Sequence, residues 1–141
     1  NPTDTPSASA ICWRMTDTRN LRVLDAAYVL VEQVHATARM VPARDLPGWH
    51  DQILRAVQSV PANIAEGARR GTRRQFAHQL RVALGSAEEV GVCLRVARAA
   101  GALSPIDRAT CETKRVVVCK MLWHLIRRVD EHAAREENGD G

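Results

Sequence analysis

Residues 72–105 read TRRQFAHQLRVALGSAEEVGVCLRVARAAGALSP, and the architecture is legible in them. Phe76, Leu80, Ala83, Ala87, Val90, Leu94 and Ala97 recur at spacings that alternate four and three, which puts them on one stripe of an α-helix. Thr72 with Gln75 three residues later is a capping-box pattern, in which side chains satisfy amides left without partners at a helix start. Gly101 supplies the stop, because a residue without a Cβ takes the left-handed conformation that closes a helix. Ser104 then caps, and Pro105 opens, a further helix, where proline's missing N–H costs nothing.

Upstream, Trp49, Ile53, Val57, Val60 and Ile64 form another stripe that closes at Gly67 or Gly71. Pro61 falls inside it; proline removes one donor and crowds the preceding turn, so the pattern predicts one helix kinked near Ser59 rather than two helices. Leu24, Ala27, Val31, Val34, Ala38 and Val41 make a first stripe, ended by Pro42 and Pro47-Gly48. The connections are short, and short connections force antiparallel neighbours. The chain therefore reads as all-α, an antiparallel up-down four-helix bundle.

The last helix carries two apolar rows. Val116, Cys119, Trp123 and Ile126 suit a core, and Val118, Leu122, Leu125 and Val129 share a different face. One bundle does not bury both rows, so the second is expected to be an oligomer interface covered by another copy of the chain. A wide core face shared by two neighbouring helices is the alternative reading.

The 141 residues are enough for one domain with a continuous core, expected over residues 17–135. Residues 1–16, rich in Pro, Thr, Ser and Asp, read as a disordered arm, with Met15 a candidate native start; residues 136–141 read as a disordered tail. No apolar run approaches the roughly 20 residues of a membrane helix, so no membrane partner is expected. The four cysteines (Cys12, Cys93, Cys111, Cys119) form no CxxC pair and suit a reducing cytosol, which predicts a cytoplasmic protein. The five histidines show no zinc-site spacing, so neither metal nor cofactor is expected.

Charge is uneven. Between Glu66 and Arg128 there are 13 Lys or Arg against 5 Asp or Glu, a local +8 within a total of +4. Arg69, Arg70, Arg73 and Arg74 cluster about Gly71, with Arg81 further along, and a second patch comprises Lys114, Arg115, Lys120, Arg127 and Arg128. Guanidiniums at a helix start attract phosphate, so Arg69, Arg70, Arg73, Arg74 and Arg81 are the candidate contacts to RNA or DNA; plain surface solvation is the competing reading. Phe76 and Trp123 both read as buried, which argues against base stacking and for salt-sensitive backbone contacts.

The stretch from Gln52 to Glu89 contains Gln52, Arg55, Ser59-Val60-Pro61-Ala62-Asn63-Ile64-Ala65-Glu66-Gly67, Arg70, Phe76, Leu80, Ala83, Gly85-Ser86 and Glu89. It resembles the four-helix bundle proteins encoded within intervening sequences of bacterial 23S ribosomal RNA genes, and the resemblance extends over Leu21 to about Val129. It implies a ring-like homo-oligomer, a pentamer, with no catalytic activity. It also implies kinship with the accessory proteins of diversity-generating retroelements, whose basic surfaces bind nucleic acid and a reverse transcriptase. Fold kinship alone does not fix this chain's role.

Gln52, Arg55, Ser59, Asn63, Glu66 and Arg70 follow one another at helical spacing and share a face if the helix continues past Pro61. They serve either as a polar network that satisfies the backbone around Pro61 or as a partner contact. No second acid pairs with Glu66 and no nucleophile neighbours a histidine, so no catalytic residue is expected. Gly85 and Gly91 read as points where a neighbouring helix comes close. Two functions remain: a nucleic-acid-binding oligomer, or a structural or protein-interaction scaffold without nucleic acid.

Overall fold

Capping chemistry sets the helix ends in the computed structural model, which describes residues 17–69 and 71–139. The expected arm at 1–16 and Arg70 lie outside the described residues. Four helices are present: α1 (Thr18–Ala38), α2 (Trp49–Arg69), α3 (Arg73–Ala99) and α4 (Pro105–Glu137). At the start of α3 the Gln75 amide donates to Thr72 Oγ1 at 3.0 Å while the Thr72 amide donates to Gln75 Oε1 at 3.1 Å, the reciprocal box that the sequence predicts. Gly101, at φ 74°, closes the other end, where the Ala102 and Gly101 amides reach back to the Ala97 and Arg98 carbonyls. Ser104 accepts from the Asp107 amide at 3.1 Å, and Pro105 is the first residue of α4.

Each helix packs on two neighbours: α1 on α2 and α4, α3 on α2 and α4. Contacts along the α3–α4 seam run in opposite chain order, Arg74 with Glu137, Arg81 with Asp130, Gly91 with Arg115. Leu30, Val34, Ile53, Val57, Val60, Ile64, Leu80, Val90, Leu94, Val118 and Leu122 are enclosed between the four. Each such side chain contributes about 1.5–3 kcal/mol by leaving water. Trp49 adds a fixed point, since its indole N–H donates to the Cys93 carbonyl at 2.8 Å and ties the start of α2 to α3.

Several expectations are corrected. In α1 the buried row is Val23, Ala27, Leu30, Val34 and Ala38, with Leu24 and Val31 only half-buried on its flank, so the core stripe is rotated from the one expected. In α4 the second row turns inward, beside Ile126 of the expected core row, which is buried as expected, and Cys119, which packs against the core. Val118 and Leu122 are 0 % exposed and Leu125 and Val129 6 %, all inside this one chain, so the residues expected at an oligomer interface are core. Trp123, expected to be buried, is 50 % exposed. Both rows have helical spacing and similar apolarity; only the positions of α1 and α3 decide which faces inward.

Residues 140 and 141 lie outside the described residues, and α4 continues through Glu136 and Glu137, which the sequence places in the tail. The reason is electrostatic: Arg73 and Arg74 at the start of α3 hold those two carboxylates at 2.6 and 2.5 Å. α2 is one unbroken helix with Pro61 within it. Gly67 does not end it; a Cβ there would lie 2.8 Å from Gln79 Cβ and 2.9 Å from Phe76 Cδ2, so this glycine lets α2 approach α3. Gly91 fits close against the Arg115 guanidinium, whereas Gly85 faces open space and has no neighbour to explain it.

Candidate functional site

The arginines about Gly71 are not an unpaired cluster. Arg69 donates to Glu66 at 2.9 Å, Arg73 to Glu136, Arg74 to both oxygens of Glu137, and Arg81 to Asp130. The hydrogen bond to Arg74 holds the Glu137 carboxyl below its ordinary value, and Glu137 in turn raises Arg74. Each of these described arginines faces a carboxylate, so a phosphate arriving there must displace one; Arg70 lies outside the described residues. Arg115, from the second patch, turns inward to Glu112 and Gly91 and is likewise engaged. Arg127 lies over the Trp123 ring, 4.9 Å from its centroid.

Unpaired cations gather elsewhere, on the seam between α1 and α4. Arg19, Arg22, Val23, Met121, His124, Leu125 and Arg128 line a cleft of about 200 Å³ there. A second hollow beside it is lined by Arg19, Arg128 and His132 together with Asp17 and Arg73. Arg19, Arg22 and Arg128 form no ion pair among the described residues. The local reason is register: Arg19 and Arg22 sit three apart beside the buried Val23, and Arg128 sits beside the buried Leu125 and Val129, so the three guanidiniums rim an apolar floor. Sequence reasoning nominated Arg128 and missed Arg19, Arg22 and His124. The signal was available, because the first and last helices of an up-down bundle are neighbours.

The polar row of α2 divides. Gln52, Arg55 and Ser59 line a cleft of about 460 Å³ between α2 and α3, with Gly48, Asp51, Ala56, Ser86 and Glu89. Asn63 Nδ2 donates to the Ser59 carbonyl at 2.7 Å and to Ser59 Oγ at 2.8 Å, and Ser86 Oγ lies 2.9 Å from Ser59 Oγ. The network therefore serves the Ser59 carbonyl rather than the Val57 carbonyl to which residue 61 would have donated. Glu66 belongs to the other end of the row, with Arg69. Sequence reading named the α2 residues and left out Asp51, and it quoted Ser86 and Glu89 without placing them opposite Arg55, since facing residues on α3 are set by helix contact and not by periodicity.

Other polar groups close the fold. His50 Nε2 lies 2.7 Å from the Val41 carbonyl and 3.0 Å from that of Ala38, so this nitrogen carries the proton and pins the α1–α2 connection. Burial raises the thiols of Cys93, Cys111 and Cys119, which keeps them protonated and unreactive. No group of His, Cys, Asp and Glu able to hold a metal occurs among the described residues, and no helix is long and apolar enough to cross a membrane.

The chain is similar in structure to a protein of unknown function from the S23 ribosomal protein family of Bacteroides thetaiotaomicron, with a TM-score of 0.72 at 21% identity, over 78% of this chain and 99% of that one. At that identity the likeness shows the fold. No curated protein matches the chain. Residues 19–124 match the family described as 23S rRNA-intervening sequence protein, a span that takes in α1, α2, α3 and the first two-thirds of α4, and the chain belongs to that family.

Proposed function

We propose that this chain is a non-enzymatic helical scaffold that holds nucleic acid by its phosphate backbone, and that the seam between α1 and α4 is the contact surface. The observation that carries this reading is the set of cations at that seam, Arg19, Arg22 and Arg128, which have no carboxylate partner among the described residues while Arg69, Arg73, Arg74 and Arg81 each have one. A guanidinium already neutralised gains little from a phosphate, whereas a free one releases condensed counterions when it binds. Lys120 and His124 extend the row along the exposed side of α4. Such contacts are salt-sensitive and weakly dependent on sequence.

The same reading takes the bundle as antiparallel, with α2 bent at Pro61, and as a ring-like homo-oligomer, a pentamer by family resemblance, in the cytoplasm. Repetition around a ring multiplies weak backbone contacts. The exposed apolar residues Val92, Val96, Val117 and Trp123 favour association through α3 and α4. They equally support a scaffold whose partners are proteins, a reverse transcriptase among them, with no nucleic acid involved.

Binding of mixed-sequence RNA and duplex DNA, measured by fluorescence anisotropy across a salt series, separates the two readings. Binding that weakens steeply with salt supports the phosphate contact. Absence of binding at the lowest salt removes it and leaves the protein scaffold.

A further inference from the structure

We infer that the polar cleft between α2 and α3 binds a small basic amino acid, a molecule with two cationic groups and one carboxylate. This cleft faces away from the α1–α4 seam, and the inference does not rest on the nucleic-acid reading.

Three observations carry it. The first is shape: an open groove of about 460 Å³ lies over a floor of small side chains, Ala56, Ser59 and Ser86, where larger residues would fill it. That size lies in the range of about 300–1,000 Å³ typical of small-molecule sites, and a polar lining suits a polar ligand.

The second is unspent charge. Asp51, Arg55 and Glu89 line the cleft, and no ion pair joins any of them within 4.0 Å among the described residues. Asp51 and Arg55 are one helical turn apart, a spacing at which such pairs ordinarily form. Elsewhere in the bundle Arg69 with Glu66 and Arg115 with Glu112 do pair at similar spacing. The three groups together carry one net negative charge, which a ligand of net +1 balances.

The third is a spare donor at the floor. Ser59 Oγ accepts from Asn63 Nδ2 and shares one hydrogen bond with Ser86 Oγ. Whichever serine donates in that bond, the other hydroxyl keeps a hydrogen with no acceptor among the described residues. Thr110 and Thr113 show the usual alternative, each donating to the carbonyl one turn back. A ligand carboxylate accepts from this hydroxyl and from Arg55, while Asp51 and Glu89 receive its two cations. Gln52, at the rim, offers both a donor and an acceptor.

The rim is open to water, so the affinity is modest, with a dissociation constant on the order of 1 mM. The test is a titration of the ¹⁵N-labelled full chain with L-arginine at constant ionic strength, followed by amide chemical shifts, with agmatine (no carboxylate) and glycine (one cation) as controls. Saturable shifts centred on Asp51–Ser59 and Ser86–Glu89 are expected, weaker by about fivefold or more in affinity with either control. In Arg55→Gln, an exposed substitution, arginine should fall to the affinity of agmatine. Shifts that do not saturate, shifts centred on another face, or equal binding of agmatine and arginine by the unaltered chain would overturn the inference.

Discussion

The two flanks of α4 both carry arginines and use them differently. On the flank towards α3, Glu112, Asp130, Glu136 and Glu137 are each taken up by an arginine, from α4 itself or from α3. On the flank towards α1, Arg128 and His124 line one cleft with Arg19 and Arg22, and none of the three arginines forms an ion pair among the described residues, although Asp17 lies in the adjoining hollow. The difference teaches that a count of basic residues locates neither a binding surface nor a structural seam. What separates them is whether each cation has a carboxylate across the helix contact, because a paired surface charge contributes structure while an unpaired one keeps its attraction for an external anion.

The largest expected effect lies on the row that both flanks share. Leu122→Asp removes a fully buried side chain and places a charge in the core, at a cost above about 4 kcal/mol out of a total of about 5–15 kcal/mol. Helical circular dichroism should be lost near room temperature, whereas Trp123→Asp, on the exposed row, should keep it. A folded Leu122→Asp protein that merely dissociates would return that row to the oligomer interface.

Next comes the unpaired flank. Replacing Arg19, Arg22 and Arg128 together by Gln should lower RNA affinity about tenfold or more at low salt and flatten the salt dependence by about 0.9 of a logarithmic unit for each phosphate no longer neutralised. The paired flank should respond in the opposite sense. Glu137→Gln uncovers Arg74, so RNA affinity should rise, by about twofold to fivefold. Equal losses from both sets of substitutions would erase the distinction between the flanks.

Most of the fold was legible because it depends on local chemistry. The Thr72–Gln75 box, Gly101, Ser104-Pro105 and the stripes of α2 and α3 all act within a turn or two of chain, and each sits where the pattern put it. The misreadings share one cause. Whether Val118 or Trp123 faces inward, whether Arg74 is free, and whether Gly85 has a neighbour all depend on which helix lies across from them. The sequence names the residues of both clefts on one side only: Gln52, Arg55 and Ser59 without Glu89 opposite, Arg128 without Arg19. Glu136 and Glu137 fall in a stretch that reads as a disordered tail because it is charged and contains glycine; the arginines that hold them are 63 residues earlier.

The smallest expected effect tests whether pairing on the α3 flank stabilises the fold. The hydrogen bond from Arg115, with further help from the charge of that guanidinium and of Arg108, holds the Glu112 carboxyl below its ordinary value of 4.5 against the opposing effect of partial burial. A carboxyl depressed in the folded state binds its proton more readily when unfolded, so it contributes stability above about pH 4.5 and loses it as the pH falls through the lower folded value. Glu112→Gln should therefore melt below the unaltered chain at neutral pH, with a gap of a few degrees at most that closes as the pH approaches about 3. Thermal midpoints across that range decide the matter. A gap that stays constant with pH would mean that the substitution acts through something other than the charge of Glu112.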